Sequence, residues 1–260
     1  MNKEKRYDNS EAYRVMAKFY DKLMGGNKYP GWKILIADVV EKYNIPKGTC
    51  LDVACGTGNI SNLLIELGFK VIGIDISDEM ISVAKQKFPG EQFVCVDARN
   101  FNLGDQTKPV TLVVSFYDSL NYLLSDDDML QAFKAVSRNI PVGTIFLFDM
   151  NPMDHVQVAQ RFKPRIFEES EFYSIFRFSG EDRFWVLDID FFVKEGEFYR
   201  LIKEKHIERG YDKGDIVPLL EQAGFNLLEV IEEHKIYEDN KKHLSRLYFV
   251  AQKNSIKKRR

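Results

Sequence analysis

Two glycines and three carboxylates occupy positions from which they could hold a nucleotide-like ligand. Asp52 lies inside the apolar run Cys50–Ala54, and Gly56 and Gly58 follow it directly. Asp75 closes a second apolar run, Lys70–Asp75, seventeen residues after Gly58, and Asp97 follows a third, Phe93–Val96. A glycine turn lets a ligand approach the backbone without meeting a Cβ. A carboxylate at the end of the next strand can accept both hydrogen bonds of a diol. Each acid taken singly reads equally well as a helix cap or loop end. Three in register behind one glycine turn point to a ligand site at the carboxyl ends of parallel strands. The third glycine of a dinucleotide fingerprint, expected near Ser61, is absent.

The elements that would position these residues alternate. Strands are predicted over 50–54, 70–75, 93–96, 110–116 and 144–148. Helices are predicted over 59–67, from Ser77, and from Ser125-Asp126-Asp127-Asp128 to Asn139, with Gly68 as a C-cap. This predicts an α/β fold: a doubly wound, mostly parallel, Rossmann-like sheet with right-handed crossovers. Ahead of it, one helix is expected from Ser10 with a Tyr13, Met16, Ala17, Tyr20 stripe, broken by Gly25-Gly26-Asn27. A second is expected from about Pro30. After Asn151 the alternation stops. Strand-like runs at 165–169, 173–178, 184–193 and 199–208 predict an inserted antiparallel sheet. A helix at 215–223 and two strands joined by 238–242 close the chain, bringing the main sheet to seven strands. The expected division is a core of residues 1–154 and 212–260 with a lid of 155–211.

The segments Asp52-Val53-Ala54-Cys55-Gly56-Thr57-Gly58, Gly73-Ile74-Asp75-Ile76-Ser77 and Val96-Asp97-Ala98 resemble those of the class I S-adenosylmethionine-dependent methyltransferases. The resemblance implies S-adenosylmethionine as cofactor. Asp52, Ala54 and the Gly56 and Gly58 backbone would lie toward its methionine part, Asp75 on the ribose, Ile76 and Met80 on the adenine, and Asp97 and Ala98 at the adenine edge. Phe116 would pass near the methionine part, and Tyr20, with Tyr13 and Tyr29 behind it, would close over the cofactor. This cofactor has no pyrophosphate to seat, which accounts for the missing glycine and favours a methyltransferase over a dinucleotide oxidoreductase.

The resemblance is less specific about the acceptor. Asp118 and Asn121, flanked by Tyr117 and Tyr122 after the fourth strand, are candidate catalytic residues, and His206 in the insertion is another. Asp118 and Asn121 could equally order a turn, and His206 could be a plain surface or structural histidine, since it alternates with outward charges. Similarity to small-molecule methyltransferases with such a lid implies N- or O-methylation of a small molecule. An RNA methyltransferase and a non-catalytic cofactor-sensing module are the alternatives. With 37 Lys and Arg against 39 Asp and Glu, nothing global suggests nucleic acid, and the basic run Lys257-Lys258-Arg259-Arg260 reads as a solvated tail. Three cysteines, Cys50, Cys55 and Cys95, form no Cys-x-x-Cys pair, and four histidines lack ligand spacing, so no metal is expected. Buried, reduced thiols and the absence of a signal or membrane span predict a cytoplasmic protein, monomer or homodimer.

Overall fold

A computed structural model describes residue 9 and residues 12–24, 29–104, 109–233 and 246–254. Ser10, Gly25-Gly26-Asn27, His234, His243, the 238–242 connection and the basic 257–260 run fall outside the described residues.

The core sheet forms from β1 (Thr49–Val53), β2 (Lys70–Asp75), β3 (Gln92–Cys95), β4 (Val110–Ser115), β5 (Ile145–Met150), β10 (Phe225–Glu232) and β11 (Leu247–Lys253). Its order is β3-β2-β1-β4-β5-β11-β10. β1 pairs in parallel with both β2 and β4, and β11 runs antiparallel between β5 and β10. The order therefore reverses between β1 and β4, the crevice where open α/β sheets bind ligands. The alternation of apolar strands and half-apolar helices forces two layers. α5 (Asp126–Arg138) and α7 (Lys213–Gln222) bury Met129, Phe133, Ile216 and Leu220 against one face. α2 (Tyr29–Lys42) and α3 (Asn59–Glu66) bury Trp32, Ile36, Ile60 and Leu64 against the other. α4 (Asp78–Lys87) starts where its sequence predicts, with the Ser77 hydroxyl accepting the Met80 N–H at 3.2 Å.

The inserted sheet is present as β6 (Arg165–Glu168), β7 (Phe172–Glu181), β8 (Phe184–Glu195) and β9 (Phe198–Arg209), all antiparallel. A short helix, α6 (Met153–Ala159), precedes it and was not foreseen. The inner face of this sheet, with Phe172, Phe176, Ile189 and Phe191, packs on α1 (Met16–Leu23) through Met16 and Phe19. Here the expected start at Ser10 is corrected. α1 begins at Met16, and Tyr13 sits in a turn at φ 66°. The cause lies far away in sequence: the Glu204 carboxylate of β9 accepts the free N–H groups of Val15 and of Met16, the latter at 2.9 Å. One thiol is also corrected. Cys50 and Cys55 are buried, but Cys95 is exposed on the edge strand β3.

Candidate functional site

A cavity of about 1200 Å³ opens at the β1/β4 crevice, with Ala54, Gly56, Asp75, Ile76, Met80, Asp97, Ala98 and Phe116 in its floor. Tyr13, Tyr20 and Tyr29 come from the N-terminal segment, and Arg183, Phe184 and Arg209 come from the lid. The turn after β1 is left-handed twice, Ala54 at φ 57° and Gly56 at φ 53°, and a Cβ on Gly56 would meet nothing nearer than the Met80 sulfur at 4.0 Å. Backbone thus faces open space, as a close-approaching ligand requires. Asp75 accepts the N–H of Gly56 at 2.8 Å and of Ser77 at 2.9 Å. Burial pushes its carboxyl up, and these backbone donors pull it back. Ile76, 68% exposed, offers an apolar face to the cavity wall, where a flat ring would cover it.

Asp97 borders the cavity, but its carboxylate is forked by Arg99, with Nη2 at 2.6 Å and Nε at 3.0 Å. The Arg99 bonds hold it below the usual carboxylate range against the opposing effect of burial. Arg99 also binds Asp128 at 2.7 Å and itself lines the cavity. An adenine amino group at Asp97 would compete with this guanidinium. Arg99 was missed because one charged side chain two residues past a strand carries no signal by itself.

Asp52 and Gly58, expected to face the methionine part of the cofactor, do not line the cavity. Asp52 is 1% exposed and accepts the Ser61 hydroxyl at 2.6 Å, tying α3 to β1 beneath the turn. Burial pushes its carboxyl up to about 7. Ser61, where a dinucleotide site would place glycine, is therefore a strut. Gly58, at φ 81°, begins α3, and a Cβ there would press the Phe88 ring at 3.0 Å. Both residues shape the turn from behind.

Two of the substrate-side candidates are also corrected, because neither lines the cavity. Asn121 is fully buried. Its amide donates to the carbonyls of Asn151 (3.0 Å) and Arg209 (2.7 Å), and its oxygen accepts the Asn151 N–H. It clips the β4 loop to the ends of β5 and β9. Asp118 accepts from Arg246 at 2.9 Å and Asn151 at 2.7 Å, while its own N–H donates to Asp149. Burial alone would raise its carboxyl, but Arg246 outweighs burial and holds it low. Asp149, also paired with Arg246 at 2.8 Å, is lifted by burial to about 6 despite that partner. Arg246 lies 5.3 Å over the Tyr117 ring, so this charge cluster forms the wall behind the cavity.

His206 is buried, so the surface reading of it fails and the structural one remains beside the catalytic one. Strand parity puts Glu204, His206 and Glu208 on one face of β9, and that face is buried, with exposures of 4%, 1% and 3%. Lys205, on the other face, pairs with Asp188. His206 Nδ1 lies 3.0 Å from the Tyr122 hydroxyl, which lies 2.7 Å from that of Tyr13. Among the described residues, no group of His, Cys, Asp and Glu could hold a metal ion, and no helix is long and apolar enough to cross a membrane.

Residues 50–143 match a family model described as a methyltransferase domain. The Bacillus subtilis protein YqeM, whose name gives a methyltransferase without a substrate, is 36% identical over 93% of this chain and 97% of its own. A dTDP-3-amino-3,4,6-trideoxy-alpha-D-glucopyranose N,N-dimethyltransferase of Streptomyces venezuelae is 27% identical over 55% of this chain and 56% of its own. Among solved structures, a S-adenosylmethionine-dependent methyltransferase from Clostridium acetobutylicum is similar at a TM-score of 0.78. It is 28% identical and covers 94% of this chain and 99% of that one.

Proposed function

Starting from the fact that the chain belongs to the class I S-adenosylmethionine-dependent methyltransferases, we propose that it methylates nitrogen or oxygen of a small molecule inside the cavity between core and lid. When bound, the cofactor supplies an electrophilic methyl on sulfonium, so the protein has only to align a nucleophile and exclude water. Asp75 would accept the ribose hydroxyls, Ile76 and Met80 would face the adenine, and the Ala54–Gly56 backbone and Phe116 would flank the methionine part. Tyr20 would lie over it.

The observation that carries this reading is the junction of two unlike surfaces in one cavity. A backbone-lined floor holds Asp75, and a roof of tyrosines and lid residues stands over it. Residues 155–211 are then the lid that selects the acceptor. The amino-sugar acceptor named for the Streptomyces venezuelae relative supports a small molecule of that size, and a cytoplasmic monomer or homodimer remains the expectation. The RNA alternative rests on the basic 257–260 run, and nothing in the cavity favours it.

Isothermal titration with S-adenosylmethionine and with NADH, followed by a screen of metabolites for uptake of labelled methyl, tests the proposal. Saturable S-adenosylmethionine binding with labelled product is expected. Tight NADH binding without S-adenosylmethionine binding would sink it, and cofactor binding with no acceptor methylated would favour the sensing module.

A further inference from the structure

The inner stripe of β9 continues into the cavity as one directed chain of hydrogen bonds. Tyr13 Oη donates to Tyr122 Oη at 2.7 Å, and Tyr122 Oη lies 3.0 Å from His206 Nδ1. His206 Nε2 lies 3.3 Å from Glu204 Oε2. Glu204 also accepts the backbone N–H groups of Val15 and Met16, so it faces His206 as an acceptor. That assigns the imidazole proton to Nε2 and leaves the Nδ1 lone pair for Tyr122. Every donor in the chain then points inward. The lone pairs of Tyr13 Oη are left at its outer end, and both tyrosines line the cavity whereas His206 does not.

Two further features mark the chain as built for a purpose. Tyr13 is held at φ 66°, where a bulky residue is strained, and its ring stands edge-on to His206 at 4.7 Å. The His206–Glu204 pair is an ionisable couple with both side chains 1% exposed. Such a pair is expensive to bury unless it is used or fully satisfied. Burial also pushes both phenols well above their ordinary range, so the tyrosines stand as neutral hydroxyls that relay a proton without storing charge.

Resting on the methyl-transfer reading, we propose that Tyr13 and Tyr122 carry the acceptor's proton to His206, and that the acceptor is therefore an ammonium or hydroxyl that arrives protonated. An ammonium first gives up a proton and so exposes its nitrogen lone pair, whereas a hydroxyl loses its proton as it attacks. The acceptor's electron pair then bonds to the methyl carbon as the carbon–sulfur bond breaks, and that bond's electron pair stays on sulfur as a neutral thioether. The acceptor's proton passes to Tyr13 Oη, the Tyr13 proton to Tyr122 Oη, and the Tyr122 proton to His206 Nδ1. The resulting imidazolium pairs with Glu204, which acts as a positioning residue. The titratable groups facing His206 are Glu204 and Glu208 of its own strand, Tyr122 with Asp118 beyond it, and Tyr13. From β8 the partner is Leu187, which does not titrate.

The test uses the full chain, methyl-labelled S-adenosylmethionine and a panel of amines, hydroxyls and thiols that includes glucosamine, tyramine, catechol and dithiothreitol. On an amine or hydroxyl acceptor, Tyr122→Phe and His206→Gln are expected to lower kcat at pH 7 by about 10²–10⁴-fold, the range of general-base catalysis. Cofactor affinity should stay unchanged. Amine transfer by the variants should recover at alkaline pH, where the free amine needs no base. In His206→Gln the rate on an amine should then follow the fraction of free amine and rise steeply with pH, a change that loss of packing would not produce. ¹⁵N-histidine spectra with S-adenosylhomocysteine at pH 8 should show the Nε2–H tautomer, and this readout needs no acceptor. Wild-type transfer confined to thiols, a Tyr122→Phe pH profile that matches wild type, or an Nδ1–H tautomer would each overturn the relay while leaving methyl transfer standing. Cofactor binding with transfer to no member of the panel would overturn the methyl-transfer reading, and the relay with it.

Discussion

In the floor of the cavity the contributing residues run from Ala54 to Asp128, and successive strand ends bring them together. The roof is assembled across the chain. The Asn9 side chain pairs with the backbone of Ile207 in both directions at 2.9 Å, although 198 positions separate them, and Glu204 caps α1. On the proposed reading the floor would hold the cofactor with backbone and the Asp75 carboxylate, an arrangement with little freedom to vary. The roof would hold the acceptor with side chains on elements joined only in the folded state. One region can therefore fix a cofactor while the other is free to fit an acceptor.

The largest expected effect lies in the wall behind the cavity. Arg246→Met leaves Asp118 and Asp149 buried without their cation and should cost about 3–5 kcal/mol of unfolding free energy by chemical denaturation. A cost below about 1 kcal/mol would mean that the charge cluster is wet and not a fixed part of that wall.

Asp52 tests whether the floor is as dry as its geometry suggests. With its carboxyl raised from an ordinary 3.8 to about 7, the native state binds a proton that the unfolded chain has released. The contribution of Asp52 to stability should therefore fall as pH rises from about 4 to 7, by about 4 kcal/mol at 1.36 kcal/mol per unit. Asp52→Asn should make the decline shallower while keeping an acceptor for Ser61, with Asp149 still contributing in the same range. Urea melts at several pH values decide it, and a slope unchanged by the substitution would contradict the burial.

Smaller effects separate turn from cap. Gly58→Ala forces a Cβ toward Phe88 at positive φ and should cost about 1–3 kcal/mol. Ser77→Ala removes the α4 cap and should cost about 1 kcal/mol. Thermal melts should rank them in that order, and the reverse order would mean that the turn relaxes.

The same contrast explains what was legible in the sequence. The strand, glycine turn and acid of the floor are spaced by local geometry, so Gly56, Asp75, Ile76 and Met80 could be placed from their spacing and from the resemblance. That Asp52 is buried against Ser61 and does not line the cavity was not legible, because a strand buried on both faces gives no parity signal. β9 does carry one: Glu204, His206 and Glu208 alternate with Lys205 and Ile207. A hydropathy rule assigns charged residues outward, and so it does not foresee that this end of β9 is buried at Glu204, His206 and Glu208 as well as at Ile207. Tyr13 and Tyr122 lie 109 positions apart, and no local pattern announces their contact.

The most direct test of the division between floor and roof is S-adenosylmethionine affinity in wild type, Asp75→Ala and Tyr13→Phe by titration calorimetry. Removing the carboxylate that would accept two ribose hydroxyls should weaken binding about 100-fold, since bonds to a charged group contribute roughly 1.5–3 kcal/mol. Removing the Tyr13 hydroxyl should leave the affinity as it was. Unchanged binding in Asp75→Ala, or a large loss in Tyr13→Phe, would contradict the account.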